Sequence, residues 1–505
     1  MITIYTLPQR IADIEALIRS QQNQMEELVV VKDLLEEKPT NSGYTIIVNS
    51  KGICFPIDWY NVQPPFLLPE LLWYQDEVLL AVIYARLGNM PAAYELLVSH
   101  GALQAELHCI AMLRDEQALN PQLLAVETYQ EFDDYRLMHN HAIVRHYTGN
   151  YENGDDQQLQ YYYNAALDAA PSPEYQAFTT KHYVSFLLDA EKLEQAEKIA
   201  LQALSHPISA DAQAELQYLL VQIGMRRLSV PYDATSMEPL KDKLWSVLQT
   251  YERQHRALET ALLLMDAAHI ATISKSFSEA LGYIQRAIRI FEEEQQPELG
   301  FEALYKKSIL LYTWAGIGQP QFFRSAAESF QQALRYFTKA DFPEIYAEIQ
   351  HYLGVIYSEI PDEVKKKSIW AAVSTSSFQE ALSIFTKTDT PYQYAMVCNS
   401  YGNALTKYPA AIHSDNFEKA LYYYNEALDI RTPHAYPVER VLTLLNYLEA
   451  SWHVGNADDG WNPERYEDME RKVAEVFELS DDPDILKDAR FHQEKLRLLK
   501  EDFGK

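Results

Sequence analysis

The sequence contains few of the residues that disulfide-linked, phosphate-binding and membrane-spanning proteins need. It has three cysteines in 505 residues (Cys54, Cys109 and Cys398), which are too few and too dispersed for a disulfide framework and fit a reducing cytosol. Only 16 glycines are present, and none forms a Gly-rich phosphate loop. No stretch approaches the roughly 18 consecutive apolar residues that a membrane span requires. The N-terminal residues Met1–Leu17 include acids and no long apolar run, so we expect no signal peptide.

Basic residues are also scarce relative to acids. The chain has 43 Lys and Arg against 72 Asp and Glu, a formal net charge of −29. Binding to a nucleic-acid backbone or to an anionic membrane depends on neutralisation by Lys and Arg, so neither is an expected partner. A basic protein or peptide would be compatible with this charge. The alternative interpretation is that the acidity only confers solubility.

Motifs typical of enzymes are absent as well. There is no G-x-S-x-G elbow and no His-Glu-x-x-His metal helix. His139, His141 and His146 are two and five residues apart, whereas a metal pair on a helix needs the i, i+4 spacing. Cys398 stands in an apolar helical stretch and is interpreted as a core residue. We therefore predict no catalytic residue, no metal and no cofactor.

What the sequence does contain is an internal repeat. Ala287, Ala333, Ala381 and Ala427 are separated by 46, 48 and 46 residues, from 333 − 287, 381 − 333 and 427 − 381. In each repeat, a proline lies ten residues after the alanine, a small residue lies seven residues before it, and a large residue lies three residues before it. In chain order the prolines are Pro297, Pro343, Pro391 and Pro437, the small residues Ala280, Ala326, Ser374 and Ala420, and the large ones Ile284, Phe330, Phe378 and Tyr424.

These offsets place the small and large residues on one face of a helix. The proline then ends that helix or opens the next one. A second apolar run follows each proline, and 21 residues after the alanine the first three repeats have Ser308, Gly354 and Gly402, while the fourth has Leu448. A small residue there allows close approach of a partner helix. Each repeat is therefore predicted to be a two-helix unit that stacks on its neighbours.

The small, aromatic, alanine and proline columns, with Gly354 and Gly402, resemble the tetratricopeptide repeat (TPR) family. The spacing is longer than that of the ordinary repeat and is most similar to the long-repeat arrays found beside caspase-like CHAT peptidase domains in bacteria. The resemblance implies an all-α, right-handed solenoid of helical hairpins. It also implies long turns inside the repeats, which we place at Pro361–Ser377 and Tyr408–Asn416.

Four segments are predicted. Residues 1–70 form an N-terminal cap or small module, with helical periodicity over Ile11–Leu35, a β-hairpin over 44–57 and then a proline-rich link. Residues 71–275 carry short, irregular repeats, with an inserted loop at 227–240. Residues 276–455 carry the long repeats, and residues 456–505 form capping helices that include the amphipathic stretches Tyr466–Phe477 and Ile485–Leu499.

In TPR proteins the first helix of each pair lines the concave groove. Carried over by alignment to Ser308, Gly354 and Gly402, the groove positions are Glu302, Tyr305, Tyr312, His351, Asn399 and Asn403. Asn403 and Lys306 fall where some family members have a carboxylate clamp, but Ile309 and Val355 stand in the Asn403 column, so the clamp is incomplete. Aromatic residues near the intra-repeat turns could form a second binding surface. Equally, they could pack between stacked repeats. They are Trp314, Phe322, Phe323, Trp370 and Tyr408.

The leading hypothesis for function is a non-enzymatic, cytosolic scaffold that binds a protein or peptide in the groove. The alternative is a regulatory sensor, in which a peptide or effector changes the pitch of the solenoid and thereby switches an associated enzyme such as a CHAT-type peptidase. An enzyme with an unrecognised site in the N-terminal segment or in residues 100–133 ranks last.

Overall fold

The structure is a computed structural model and describes residues 1–21, 24–115, 117, 124, 131–148, 156–228, 234–410, 415–454 and 462–503. The chain divides into two compact units, Met1–Thr260 and Ala261–Lys505. Both consist mainly of α-helices that pack as antiparallel hairpins, and the first unit also contains a small sheet.

The sheet of the first unit has four strands in the order β2–β1–β3–β4. The strands are β1 (Ile2–Thr6), β2 (Val29–Asp33), β3 (Thr45–Val48) and β4 (Ile53–Cys54). β1 is parallel to both β2 and β3, and β3 is antiparallel to β4. The predicted hairpin over residues 44–57 is confirmed as β3 and β4.

The helix expected over Ile11–Leu35 is wrong in its second half. Helix α1 (Pro8–Arg19) and the single turn α2 (Met25–Leu28) are followed by strand β2. β2 begins with three consecutive β-branched residues, which pair with β1 in register from Ile2 opposite Val29. Pairing between distant segments thus overrides a local helical periodicity.

The other helices of the first unit form hairpins in which consecutive helices pack together, notably α6 with α7, α8 with α9 and α10 with α11. The helices are α3 (Asp76–Arg86), α4 (Met90–Leu96), α5 (Gly101–Arg114), α6 (Glu131–Thr148), α7 (Asp156–Ala169), α8 (Pro173–Asp189), α9 (Leu193–Leu204), α10 (Ala210–Arg226) and α11 (Ala234–Arg253). The loop predicted at 227–240 is wrong from residue 234 onwards, because Pro239 lies inside α11. Residues 229–233 are outside the described ranges. Helix α12 (Ala257–Ile273) runs across the boundary between the units.

The second unit contains the long repeats as helical hairpins. Its helices are α13 (Phe277–Glu293), α14 (Pro297–Gly316), α15 (Phe322–Ala333), α16 (Pro343–Glu359), α17 (Val364–Leu382), α18 (Pro391–Leu405), α19 (Asn416–Ile430), α20 (Pro437–Ser451), α21 (Pro463–Leu479) and α22 (Pro483–Phe503). The four repeat prolines open α14, α16, α18 and α20, where their missing N–H leaves no intrahelical bond unmade.

The repeat columns form the buried seam of these hairpins. Ala287, Ala333, Ala381 and Ala427 are all fully buried, and so are the aromatic residues Phe330, Phe378 and Tyr424 to within 1 %. A Cβ placed on Gly354 would be 3.0 Å from the Phe378 ring, and one on Gly402 would be 2.5 Å from the Tyr424 ring. The helices are therefore packed around these rings as the predicted repeat requires.

The long turn predicted at Pro361–Ser377 is wrong, because α17 already begins at Val364. Residues 364–377 contain neither glycine nor proline to interrupt a helix. The Trp370 ring also stacks on Tyr357 of α16, with ring centroids 5.6 Å apart, which holds the added helical turns against the hairpin. The second predicted turn, Tyr408–Asn416, lies between α18 and α19, with residues 411–414 outside the described ranges.

Candidate functional site

In each hairpin, the buried seam occupies one side of the first helix, so other molecules can contact only the remaining sides. Gly354 of α16 and Gly402 of α18 face the aromatic ring of the second helix in their own hairpin. Side chains three positions earlier and one position later on these helices lie beside that contact. We call the set carried by α14, α16, α18 and α20 the helix-A face; its predicted members are Glu302, Tyr305, Tyr312, His351, Asn399 and Asn403.

On α14, two tyrosines of the helix-A face link this helix to α16. Tyr305 donates a hydrogen bond to Glu348 Oε2 at 2.7 Å, and burial and this carboxylate raise the pKa of the Tyr305 phenol. Tyr312 meets the Tyr352 ring edge to face at 5.2 Å. Glu302, in contrast, is exposed and pairs with Lys306 at 3.0 Å.

His351 of α16 lies below the surface of this face. Its side chain stacks on Tyr352 at 5.9 Å and approaches Phe378 at 6.2 Å. Burial lowers the pKa of His351 to about 4, so the ring is neutral at physiological pH. Within the described residues its Nε2 has no hydrogen-bond partner.

The two asparagines of α18 have different surroundings. Asn403 Oδ1 accepts a hydrogen bond from the Tyr424 hydroxyl at 2.8 Å, which ties this side chain to the seam. Asn399 Oδ1 accepts only a long bond, 3.4 Å, from Asn446 Nδ2 of α20. Both Asn399 and Asn446 are partly exposed, so amide groups remain available to a ligand.

Sequence reasoning missed three residues of this face. Glu348 stands six positions before Gly354, as Glu302 stands six before Ser308, so the column itself could have identified it. Glu359 pairs with Lys407 of the following repeat. Asn446 lies two residues before Leu448, which stands where the first three repeats have Ser308, Gly354 and Gly402. Because the small residue is missing in the fourth repeat, the column did not indicate Asn446.

The proline-rich link, residues 56–69, shows what the first helices of such hairpins can bind. It has no regular secondary structure and crosses α8 and α6 of the first unit. Trp59 is fully buried, donates from Nε1 to Glu174 Oε1 at 2.9 Å and packs against Phe178. Lys181 donates to Asn61 Oδ1 at 2.7 Å. The link is thus held by side chains of α8 along one half of its length.

Helix α6 holds the other half through main-chain recognition. The Asn140 amide accepts from the Leu67 N–H and donates to the Leu67 carbonyl, both at 2.8 Å. His139 Nε2 lies 2.8 Å from the Pro65 carbonyl oxygen, which makes it the donor. A pair of bonds from one amide to one residue reads the peptide backbone independently of its side chain.

Of the two contacting residues of α6, His139 occupies the same column as the predicted site, and Asn140 is its neighbour. His139 precedes the fully buried Ala142, which shares a core cluster with Tyr163, by three residues. Asn399 precedes Gly402, which lies against Tyr424, by the same number. The column that contributes Tyr305, His351 and Asn399 in the second unit therefore contacts a bound segment in the first.

A buried ionic cluster fixes the lysine that takes part in this contact. Glu215 of α10 lies 2.7 Å from both Lys181 Nζ and Arg256 Nη1, and it accepts a hydrogen bond from Tyr251 at 2.9 Å. Burial alone would raise the pKa of Glu215, but the two cations outweigh it and lower the pKa. The carboxylate is therefore ionised and anchors Lys181 beneath Asn61.

The aromatic residues of the second candidate surface pack onto the helices. Trp314 stacks on Phe322 with centroids 4.0 Å apart and on Phe277 at 5.7 Å. The Tyr408 hydroxyl donates to Ser374 at 2.6 Å. Trp314, Phe322 and Trp370 belong to helices rather than to turns. These contacts match the packing interpretation of this set.

The thiol of Cys398 is not activated as a nucleophile. Burial raises the pKa of Cys398 to about 12, so its thiol stays protonated. In the described ranges, no three His, Cys, Asp or Glu side chains converge where they could hold a metal ion. Over the same residues, no helix combines the length and hydropathy that crossing a bilayer requires.

Comparisons with known proteins add the following. No family model and no curated protein matches the chain. Among solved structures, a signal transduction ATPase (STAND) protein with a tetratricopeptide repeat sensor from Pyrococcus horikoshii aligns at 12% identity over 99% of this chain and 77% of its own, with a TM-score of 0.44. Yeast Tom70 aligns at 12% identity over 84% and 89%, TM-score 0.34, and the P58(IPK) TPR domain at 14% over 84% and 98%, TM-score 0.23. Because these TM-scores are below 0.5, the description of the fold as stacked helical hairpins depends on the packing described above.

Proposed function

We propose that this protein is a non-enzymatic, cytosolic scaffold that binds a protein or peptide on the helix-A face of its second unit. The observation that carries the proposal is the link segment, which the first unit binds through His139 of the corresponding column and through the adjacent Asn140. The second unit presents the same column, with Tyr305, His351 and Asn399, over three consecutive hairpins.

The chemistry of the face supports a partner segment without regular secondary structure. Asn399 and Asn446 can bond to a peptide backbone as Asn140 does, and the rings of Tyr312 and Tyr352 offer apolar contact. The net charge of −29 favours a basic segment and disfavours nucleic acid and anionic membranes. No cofactor is part of this proposal.

Selection of peptides from a displayed library against the full-length protein tests it. The selected peptides should bind the wild-type chain and lose affinity for Asn399→Ala and Tyr305→Ala, by about tenfold for each contact removed. Tyr422→Ala is the matched control, since Tyr422 is 60% exposed on α19, outside the face. If the selected peptides bind all variants equally, or if no peptide is enriched, the proposal is wrong.

A sensor role is the second candidate. The contacts Tyr305–Glu348, Glu359–Lys407 and Asn399–Asn446 each join one repeat to the next across the helix-A face. A ligand that replaced them would change the spacing of successive hairpins and could switch an associated enzyme such as a CHAT-type peptidase. Small-angle scattering at saturating peptide should then show altered dimensions; unchanged dimensions would leave only the scaffold role.

A further inference from the structure

A second potential binding site lies in the first unit, separate from the helix-A face. It is a cavity of about 90 Å³ between the link segment and helices α3, α5, α6 and α8. Phe66, Val82, Leu107, Ile110 and Phe178 contribute most of its apolar wall. Two guanidinium groups, those of Arg86 and Arg114, also line it.

Arg86 has hydrogen-bonding capacity that the fold does not use. Its Nη1 donates to the Thr45 carbonyl at 2.8 Å, and its guanidinium lies 4.8 Å from the centroid of the Phe55 ring. In the described part of the chain, Nε and Nη2 of Arg86 form no hydrogen bond. Neither atom belongs to the fully buried polar atoms that lack a partner. Both N–H groups are therefore accessible, and Arg86 is one of the residues that line the cavity.

Among the described residues, no carboxylate forms an ion pair with this guanidinium within 4 Å. Asp58 also lines the cavity and its charge acts on Arg86, but its Oδ1 accepts the Tyr60 N–H and its Oδ2 accepts the Gln63 N–H at 2.7 Å. Burial lowers the pKa of Arg86 to about 10, and the charge of Asp58 only partly opposes this effect. A partly buried guanidinium with unbonded donors is stabilised by an anion that bonds to them.

The other charged groups of the cavity are already engaged or lie at its rim. Arg114 donates to the Ala85 carbonyl at 3.1 Å and to Gln63 Oε1 at 2.7 Å, which holds it in the wall. Glu70 is exposed. Arg86 is thus the group that can receive an anionic ligand.

We propose that this cavity binds a short aliphatic carboxylate, with the carboxylate on Arg86 Nε and Nη2 and the carbon chain against the apolar wall. The fork of a guanidinium matches a carboxylate in a bidentate arrangement. The volume limits the ligand, because a cavity of about 150 Å³ is what accommodates benzene. A chain of about four carbons is the expected size.

Isothermal titration calorimetry of the full-length protein with sodium butyrate tests the proposal, with butanamide as the uncharged ligand of the same shape. We expect butyrate to bind with a dissociation constant near or below about 1 mM, and butanamide at least tenfold more weakly. Equal binding of the two compounds, or no heat from butyrate at about 10 mM, would overturn it.

Two variants locate the site. Arg86→Gln removes the charge and should weaken butyrate binding by ten- to a hundredfold. Because this change also removes the bond to Thr45, Ile110→Phe provides an independent test: it fills the cavity, keeps Arg86 and should abolish binding with unchanged circular dichroism. Arg19→Gln, at an exposed arginine of α1, should bind butyrate like the wild type. Undiminished binding by the Ile110→Phe protein would contradict the assignment.

Discussion

At the scale of single residues, two glycines of the second unit lie directly against an aromatic ring. The Cβ positions of Gly354 and Gly402 lie 3.0 Å and 2.5 Å from ring carbons of Phe378 and Tyr424. The Tyr424 ring cannot easily retreat, because it is buried and its hydroxyl bonds to Asn403. These two glycines serve close approach rather than backbone freedom.

We therefore expect Gly402→Ala to destabilise the protein by about 1–2 kcal/mol, since overpacking costs more than the roughly 1 kcal/mol that alanine gains in a helix. Gly354→Ala should cost less, because its contact is longer. Gly282→Ala is the control: that glycine is exposed in α13 with nothing within 4 Å, so the change should stabilise by about 1 kcal/mol. Urea denaturation measures all three, and equal stabilisation by Gly402→Ala and Gly282→Ala would contradict the packing argument.

Buried histidines make stability depend on pH. Burial lowers the pKa of His139, His146 and His351 to about 4, below the ordinary value of 6.5. The unfolded chain therefore binds protons between these values that the folded chain does not, and the free energy of unfolding falls as the pH is lowered from about 6.5 to about 4.

The contribution of a single histidine can be isolated. His351→Gln should reduce the steepness of this loss by up to about 1.4 kcal/mol per pH unit. His434→Gln, at an exposed position, should leave the slope unchanged. Denaturation at several pH values between 4 and 7 decides the matter, and a slope that His351→Gln does not alter would show that this ring is protonated in the folded state.

At the scale of elements, the sequence predicted helix positions best where they depend on neighbouring residues in the chain. Proline at a helix start and small residues opposite large ones are set by a few neighbouring positions, so α14, α16, α18 and α20 began where expected. Strand β2 was missed because its partner β1 lies 27 positions away, from 29 − 2 in the register. Helix α17 contradicts the predicted turn because residues 364–377 favour a helix, whereas the resemblance to the long repeats implies a turn there.

The link segment is the clearest case of a site that local reasoning cannot find. Trp59 meets Glu174, 115 positions later, and Leu67 meets Asn140, 73 positions later. The prolines indicated an irregular connection but carried no information on what it contacts. The columns of the helix-A face were predictable, whereas their use within the first unit was not.

Loss of the main-chain contact should release the link locally. Asn140→Ala leaves the Leu67 N–H and carbonyl unpaired, at an expected cost of about 2 kcal/mol. Hydrogen exchange at the amides of residues 66–68 should rise by at least tenfold, while the sheet of the first unit stays protected. Gln202→Ala, at an exposed amide of α9, is the control. Unchanged exchange in the Asn140→Ala protein would mean that Trp59 alone holds the link.

At the scale of the whole molecule, the excess of 29 negative charges dominates the long-range electrostatics. Exposed pairs such as Lys339–Glu380 and Lys387–Asp429 contribute at most about 1 kcal/mol each, whereas repulsion acts among all the unpaired acids. Screening should therefore stabilise this protein.

We expect the midpoint of thermal unfolding to rise by a few °C between about 10 mM and about 200 mM sodium chloride, over which the Debye length falls from about 30 Å to below about 8 Å. Differential scanning calorimetry measures the change. A midpoint that falls with salt would show that the surface ion pairs outweigh the repulsion.

The buried Trp59 also has a practical consequence for anyone who dissects the protein. A fragment that starts after residue 70 would uncover the hollow on α8 in which the indole sits, together with the unsatisfied groups of Asn140 and His139. In a pull-down experiment, such a fragment would bind peptides that contain tryptophan. Those peptides would occupy the site of the absent Trp59 and would not be physiological ligands.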